Sequence, residues 1–209
     1  FVSPRLREKL TSDAIKICKA IAYHNVGTVE FLVDNSGNHY FLEMNTRIQV
    51  EHPVTEMITS IDIVKQQLLI AMGLPLELSQ QDIAINGHAI ECRIYAEDPS
   101  NNFLPAPGRI ERVEWPTQRM ARTDSWCTAS IDILPVFDPI EKMKRALEST
   151  SLIGPINNIW YLKKLMDNTN YQEGNIDSSF CEKFQVVAPT SSIESLVAAT
   201  LIHQFKRPD

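Results

Sequence analysis

Residues 40–51 read Tyr-Phe-Leu-Glu-Met-Asn-Thr-Arg-Ile-Gln-Val-Glu, and the reading of this stretch decides the fold. As one extended strand its side chains alternate between two faces. Tyr40, Leu42, Met44, Thr46, Ile48 and Val50 form a core face. The opposite face carries Phe41, Glu43, Asn45, Arg47, Gln49 and Glu51. A solvated strand face is the plain explanation of any one of these residues. A run of consecutive polar positions with both signs of charge, starting beside an aromatic ring, points instead to a site.

The preceding run Thr28-Val29-Glu30-Phe31-Leu32-Val33-Asp34 is also rich in strand formers, and Asn35-Ser36-Gly37-Asn38 between the two is a turn signal. A two-residue turn at Ser36-Gly37 predicts a hairpin with Val33 opposite Tyr40, Phe31 opposite Leu42 and Glu30 opposite Glu43. Thr28 then faces Asn45. A three-residue turn would instead move Glu30 to the other face. Like charges directly across a ladder destabilise it unless one is protonated or a cation lies between them. Two carboxylates and an amide oxygen form a hard, all-oxygen donor set suited to Mg²⁺ or Mn²⁺ held together with phosphates. Farther along, Arg47 offers a planar fork for an anion. Gln49 and the backbone at Val50 add donors, and Glu51 adds a carboxylate able to act as a base. Metal, anion clamp and base thus follow one another in sequence.

A chain of 209 residues, 44% hydrophobic and 22% charged, has the composition of an ordinary globular protein. Its net charge of -6 and its lack of a basic tract argue against a nucleic-acid partner. Cys18, Cys92, Cys127 and Cys181 are too scattered for a zinc site and read as reduced thiols. No apolar run spans a membrane and no signal peptide is present. The sequence opens at Phe1 without a Met, so the true start and any targeting signal are expected to lie outside it.

In order along the chain, the periodicity predicts a helix from Pro4 to His24, then the hairpin, then a ladder break at His52-Pro53. A second helix is expected over Ile61–Met72, with Ile61, Val64, Leu68 and Ala71 on its buried side and Gly73 as its stop. The polar stretch Glu77–Asp82 reads as a domain boundary. Gly87–Glu97 alternates as a strand, with Cys92 and Ile94 on one face and Glu91, Arg93 and Tyr95 on the other. Short strands are expected over Arg109–Trp115, Arg122–Trp126 and Thr128–Leu134. Helices are expected over Glu141–Glu148, Asn158–Asp167, Ser178–Phe184 and Ile193–Phe205. There is no internal repeat.

The run from Phe41 through Glu51 and on through His52-Pro53-Val54-Thr55-Glu56 closely resembles the signature of biotin carboxylases, the ATP-grasp component of biotin-dependent carboxylases. Gly27–Leu32, Gly87–Pro99 and Phe103-Leu104-Pro105-Ala106-Pro107-Gly108 resemble further blocks of that family in the same order. The resemblance implies an α+β fold: the C-terminal part of an ATP-grasp domain over residues 1–82, a biotin carboxylase C-terminal domain with antiparallel strands and helices over 83–185, and a helical tail over 186–209. It implies that Glu30, Glu43 and Asn45 hold Mg or Mn on the ATP phosphates, and that Arg47, Gln49 and Val50 position bicarbonate. Glu51 would be the base. Bicarbonate would attack the γ-phosphate to give carboxyphosphate, which breaks down to CO₂ and phosphate. Arg93 would stabilise the enolate of biotin once phosphate has taken the ureido proton.

The family's N-terminal domain and glycine-rich phosphate loop have no counterpart here, and the strand and helix start that normally follow Val136-Phe137-Asp138-Pro139 are expected to be lost, the chain running straight into Ile140. The resemblance therefore implies that this chain alone does not turn over ATP. It implies a biotin carboxyl carrier domain and a carboxyltransferase as partners, a homo-oligomer, and no role for nucleic acid or membrane. His52–Glu56 is most like acyl-CoA and pyruvate enzymes, and Thr123-Asp124-Ser125-Trp126 is more like urea carboxylases. A catalytically inactive interaction module is the competing class. Cytoplasmic and mitochondrial members share these motifs, so the compartment stays open.

Overall fold

The computed structural model describes residues 2–125, 129–132 and 139–189. Trp126, Cys127, the stretch around Val136-Phe137-Asp138 and the helix expected over Ile193–Phe205 lie outside the described residues. The described chain divides into two compact units, meeting in sequence at Glu91 and Cys92.

The first unit opens with α1 (Pro4–Ala20). The Ser3 hydroxyl accepts from the Leu6 backbone N–H at 3.2 Å and Pro4 occupies the first turn, so the start of the helix is capped. It ends four residues earlier than the periodicity predicts, because Ala22 and Asn25 adopt left-handed backbone with φ of 49° and 82°. Asp13 on α1 accepts from Lys16 and lies 2.7 Å from the His39 ring, tying the helix to the hairpin. The Lys16 and His39 bonds hold the Asp13 carboxyl below its usual range.

The hairpin pairs β1 (Thr28–Val33) with β2 (His39–Asn45) antiparallel. Its turn holds three residues rather than two. Asp34 N–H donates to the Asn38 carbonyl, and the Asp34 carboxylate accepts from the backbone of Ser36 and Asn38 and from the Asn38 amide, all at 2.9 Å. Those bonds, with Asn38 first, pull the Asp34 carboxyl down. Gly37 at φ +81° supplies the left-handed residue that such a turn needs. Near the turn the register is therefore Val33 to His39, Leu32 to Tyr40 and Phe31 to Phe41, one residue away from the expected pairing.

A bulge then intervenes between Glu30 and Phe31, leaving Leu42 as the extra residue of β2. Beyond it Glu30 faces Glu43, Val29 faces Met44 and Thr28 faces Asn45, as expected. The three-residue turn and the bulge cancel, and Glu30 returns to the face of Glu43.

Two expectations fail in this unit. The supposed core face is largely open: Tyr40, Leu42 and Val50 are exposed, and Met44 and Ile48 are only half-buried. A two-stranded ladder has no second layer of its own to cover it. The buried side expected of the second helix is likewise open, with Val64, Leu68 and Ala71 exposed on α3 (Ile63–Ala71). An additional helix, α2 (His52–Thr59), precedes it. The Asp62 side chain caps α3 at Lys65 N–H, 2.7 Å away. Buried Glu56 accepts from Ile63 N–H at 2.6 Å, so one carboxylate joins the two helices.

In the second unit β3 (Glu91–Arg93) lies in a three-stranded sheet of order β3-β8-β7, with β7 at Arg122–Ser125 and β8 at Ala129–Asp132. The expected strand over 87–97 is cut into β3 and β4 (Glu97–Asp98), the latter pairing with β5 (Leu104–Pro105). The alternation survives: Cys92 and Ile94 are buried while Arg93 and Tyr95 are exposed. β6 (Arg112–Glu114) pairs with β9 (Ser151–Ile153), which the sequence did not announce.

α4 (Pro139–Glu148) packs on α5 (Ile159–Met166), followed by α6 (Thr169–Gln172) and α7 (Phe180–Lys183). Met143, Ala146, Leu147, Ile159, Tyr161 and Met166 form the core. Burial pushes the Tyr161 hydroxyl up to about 12, with Cys181 adding to the shift. Cys18, Cys92 and Cys181 form no disulfide among the described residues.

Gly154 follows β9 at φ +144°, and a Cβ there would run into the Arg109 carbonyl oxygen. Gly154→Ala is therefore expected to destabilise the protein by about 1–3 kcal/mol. Chemical denaturation would read this loss, and an unchanged midpoint would refute the close approach.

Candidate functional site

In the first unit, β1 contributes Glu30 and β2 contributes Glu43 and Asn45. Glu30 and Glu43 stand directly opposite each other in the ladder. The Asn45 amide donates to Glu30 Oε1 at 2.7 Å and to Glu43 Oε1 at 3.4 Å. The Gln49 amide donates to the same Glu30 oxygen at 3.3 Å. Two like charges are thus held together by amide N–H groups gathered between them. Rotation of an amide by half a turn exchanges its nitrogen for its oxygen. The same four side chains therefore supply either donors that bridge two carboxylates or an all-oxygen set for a cation.

That donor set fits Mg²⁺ or Mn²⁺. Among the described residues no cluster of three or more His, Cys, Asp or Glu side chains gathers. A metal here would accordingly have its remaining positions filled by phosphate or water, which is how Mg²⁺ is usually bound.

The expectation of one strand running to Glu51 is corrected: β2 ends at Asn45. Residues 46–51 form a loop into α2, so Arg47, Gln49 and Glu51 do not continue the strand face of Glu43. The loop is braced from α2, where His52 donates from its backbone to the Gln49 carbonyl at 3.2 Å. The His52 ring Nδ1 meets the same oxygen at 2.7 Å. In the sequence His52-Pro53 marks a ladder break and part of the family signature, and neither points to His52 as a brace. The paired role of His52 depends on the chain turning back on itself, which no periodicity signals.

Arg47 is exposed, and one arm of its guanidinium donates to the Ile48 carbonyl at 3.1 Å. Val50 is exposed in the turn that follows. Glu51 precedes α2, where its carboxylate makes no capping bond. A negative charge at this end of a helix is favoured by the helix dipole. The first unit therefore brings Glu30, Glu43, Asn45 and Gln49 into contact, with Arg47, Val50 and Glu51 on the adjoining loop.

Arg93 belongs to the second unit. Its guanidinium lies over the Tyr95 ring, 5.2 Å from the centroid, so both exposed side chains of this segment form one stacked pair. Behind them the Asn158 side chain bonds to the backbone of both residues, contacts that spacing could not reveal across 63 and 65 positions.

Residues 1–79 match the ATP-binding domain of the carbamoyl-phosphate synthase L chain family, and residues 91–141 match the biotin carboxylase C-terminal domain. The chain is similar to a biotin carboxylase of Nostoc sp., with 42% identity over 193 residues, 85% of this chain and 43% of that protein. It is 41% identical over 197 residues to the mitochondrial propionyl-CoA carboxylase alpha chain of Mus musculus, covering 86% of this chain and 27% of that one. Among solved structures it resembles the biotin carboxylase domain dimer of Hydrogenobacter thermophilus 2-oxoglutarate carboxylase in complex with MgADP, ADP and bicarbonate. That likeness has a TM-score of 0.80 and 38% identity, and covers 89% of this chain and 45% of that chain.

Relatives from a pyruvate carboxylase and a urea carboxylase match as well. The chain spans less than half the length of the Nostoc, Mus musculus and Hydrogenobacter relatives. Two adjacent domain matches in family order, on a fold of helices and antiparallel strands, place the chain in the biotin carboxylase family, of which it carries the end of the ATP-grasp domain followed by the C-terminal domain.

Proposed function

We propose that the whole protein uses Mg-ATP and bicarbonate to carboxylate protein-linked biotin, as the biotin carboxylase of an acyl-CoA carboxylase. The observation that carries this reading is the opposed pair Glu30 and Glu43 with Asn45 between them. These three residues would hold Mg²⁺, which would supply positive charge to the ATP phosphates. Arg47 presents its fork to bicarbonate, with Gln49 and the Val50 backbone completing the clamp. Glu51 takes the bicarbonate proton. The oxygen so freed attacks the γ-phosphorus, the bond to ADP breaks, and carboxyphosphate forms.

Carboxyphosphate then releases CO₂ and phosphate, and Arg93 would face the ureido oxygen of carrier-borne biotin, stabilising negative charge there as the ureido proton passes to phosphate and the nitrogen bonds to CO₂. In this reading residues 1–82 belong to the ATP-grasp domain, 83–185 to the C-terminal domain and 186–209 to a helical tail. A biotin carboxyl carrier domain and a carboxyltransferase are the partners, and the assembly is a homo-oligomer. The acceptor is chosen by the carboxyltransferase, so the site residues of this chain serve an acyl-CoA, pyruvate or urea enzyme alike.

The test is Glu43→Gln in the full-length enzyme. Removing one of two opposed charges is expected to raise the stability of the metal-free protein by about 0.2–1 kcal/mol. It should also raise the Mg²⁺ concentration needed for bicarbonate-dependent ATP cleavage. An unchanged Mg²⁺ dependence would sink the shared metal site.

A further inference from the structure

We infer that Asn158 is a positioning residue for Arg93, acting as a one-residue substitute for a β-strand on the segment that carries the biotin-facing guanidinium. This rests on the reading of Arg93 given above. β3 stops at Arg93 and β4 begins at Glu97, so the backbone between them has no ladder of its own. Asn158 supplies one. Its Oδ1 accepts from Tyr95 N–H at 3.0 Å, and its Nδ2 donates to the Arg93 carbonyl at 3.1 Å. Its own backbone N–H donates to the Tyr95 carbonyl at 3.2 Å.

The side-chain amide thus presents one donor and one acceptor at the spacing of a peptide group, as a neighbouring strand would. The same Nδ2 donates to Glu97 Oε1 at 2.9 Å, which fixes the orientation of the amide. Asn158 is 4% exposed, so none of these bonds is readily replaced by water. With both carbonyls and the intervening N–H held, the chain keeps its extended alternation past the end of β3, through Ile94 and Tyr95. Arg93 and Tyr95 therefore emerge on one side, and the guanidinium rests on the ring. Only asparagine offers this pattern at this length. Aspartate has no donor for the Arg93 carbonyl and would set a second carboxylate against Glu97.

The test compares Asn158→Ala, Arg93→Ala and the double variant in the full-length enzyme. Carboxybiotin formation and bicarbonate-dependent phosphate release are measured side by side, and amide hydrogen exchange is followed at Tyr95. Asn158→Ala is expected to lower carboxybiotin formation by about 10- to 100-fold, the cost of displacing a catalytic group by about an ångström. Phosphate release should hardly change, and the Tyr95 amide should exchange faster. The double variant should lose no more coupling than Arg93→Ala alone.

Equal loss of both activities, or intact coupling despite faster exchange at Tyr95, would overturn the inference while leaving Arg93 its role. Intact coupling in Arg93→Ala would instead overturn the biotin reading and the inference with it. If Asn158→Ala does not fold, Asn158→Ser, which keeps a small polar side chain too short to reach both backbone groups, is put through the same comparison with the same expected and overturning outcomes.

Discussion

Arg47→Lys in the full-length enzyme is expected to cut bicarbonate-dependent ATP cleavage and carboxybiotin formation together, by about 2–4 kcal/mol of transition-state stabilisation. That corresponds to roughly 30- to 1000-fold in rate. Lysine keeps the charge but loses the planar fork, so an anion that two parallel N–H groups grip becomes held by a point charge. In the structure one arm of Arg47 is braced on the Ile48 carbonyl and the side chain is exposed. The fold has little to lose from the change, and stability should shift by less than about 0.5 kcal/mol. Steady-state kinetics at varied bicarbonate would check this. Near-normal kcat/KM for bicarbonate would show that Arg47 is a surface charge and that the clamp lies elsewhere.

Arg93→Ala is expected to separate the two half-reactions. Phosphate release precedes any demand on the biotin enolate, so ATP cleavage should persist while carboxybiotin formation falls by about 100-fold or more, the usual loss when a donor aimed at developing charge is removed. The stacked Tyr95 ring gives this variant a structural cost of its own, about 0.5–1 kcal/mol at an exposed site. That is too small to mimic the catalytic loss. Side-by-side assays of phosphate and carboxybiotin decide the matter. Equal losses in both would mean that Arg93 supports ATP binding or the fold, and the biotin assignment would have to be abandoned.

Much of this protein is legible in its sequence, for reasons that are local. Pro4 after Ser3 starts a helix wherever it occurs, because ring and hydroxyl settle donors that the first turn leaves open. Gly37 in a polar tetrapeptide marks a turn because few other residues accept φ +81°. The motif from Phe41 to Glu56 identifies the family because its order of carboxylate, amide, guanidinium and carboxylate is chemistry written in consecutive residues.

Tertiary structure alone decided the rest. The opposition of Glu30 and Glu43 was expected from a two-residue turn and arises instead from a three-residue turn corrected by a bulge at Leu42. Two one-residue shifts of opposite sense are invisible to a period of two. The loop from Thr46 to Glu51 keeps strand-like alternation in sequence. It leaves the ladder because α2 begins at His52 and its first residue bonds back to Gln49, a closure that depends on three-dimensional proximity. The faces formed by Tyr40 and Leu42 and by Val64 and Leu68 have core composition yet lie open, since burial depends on a second layer and not on the residue itself. Asn158 is the clearest case. Nothing in Asn157-Asn158 separates a helix cap from a brace, and only the approach of α5 to residues 93–97 turns one amide into the missing strand beside Arg93.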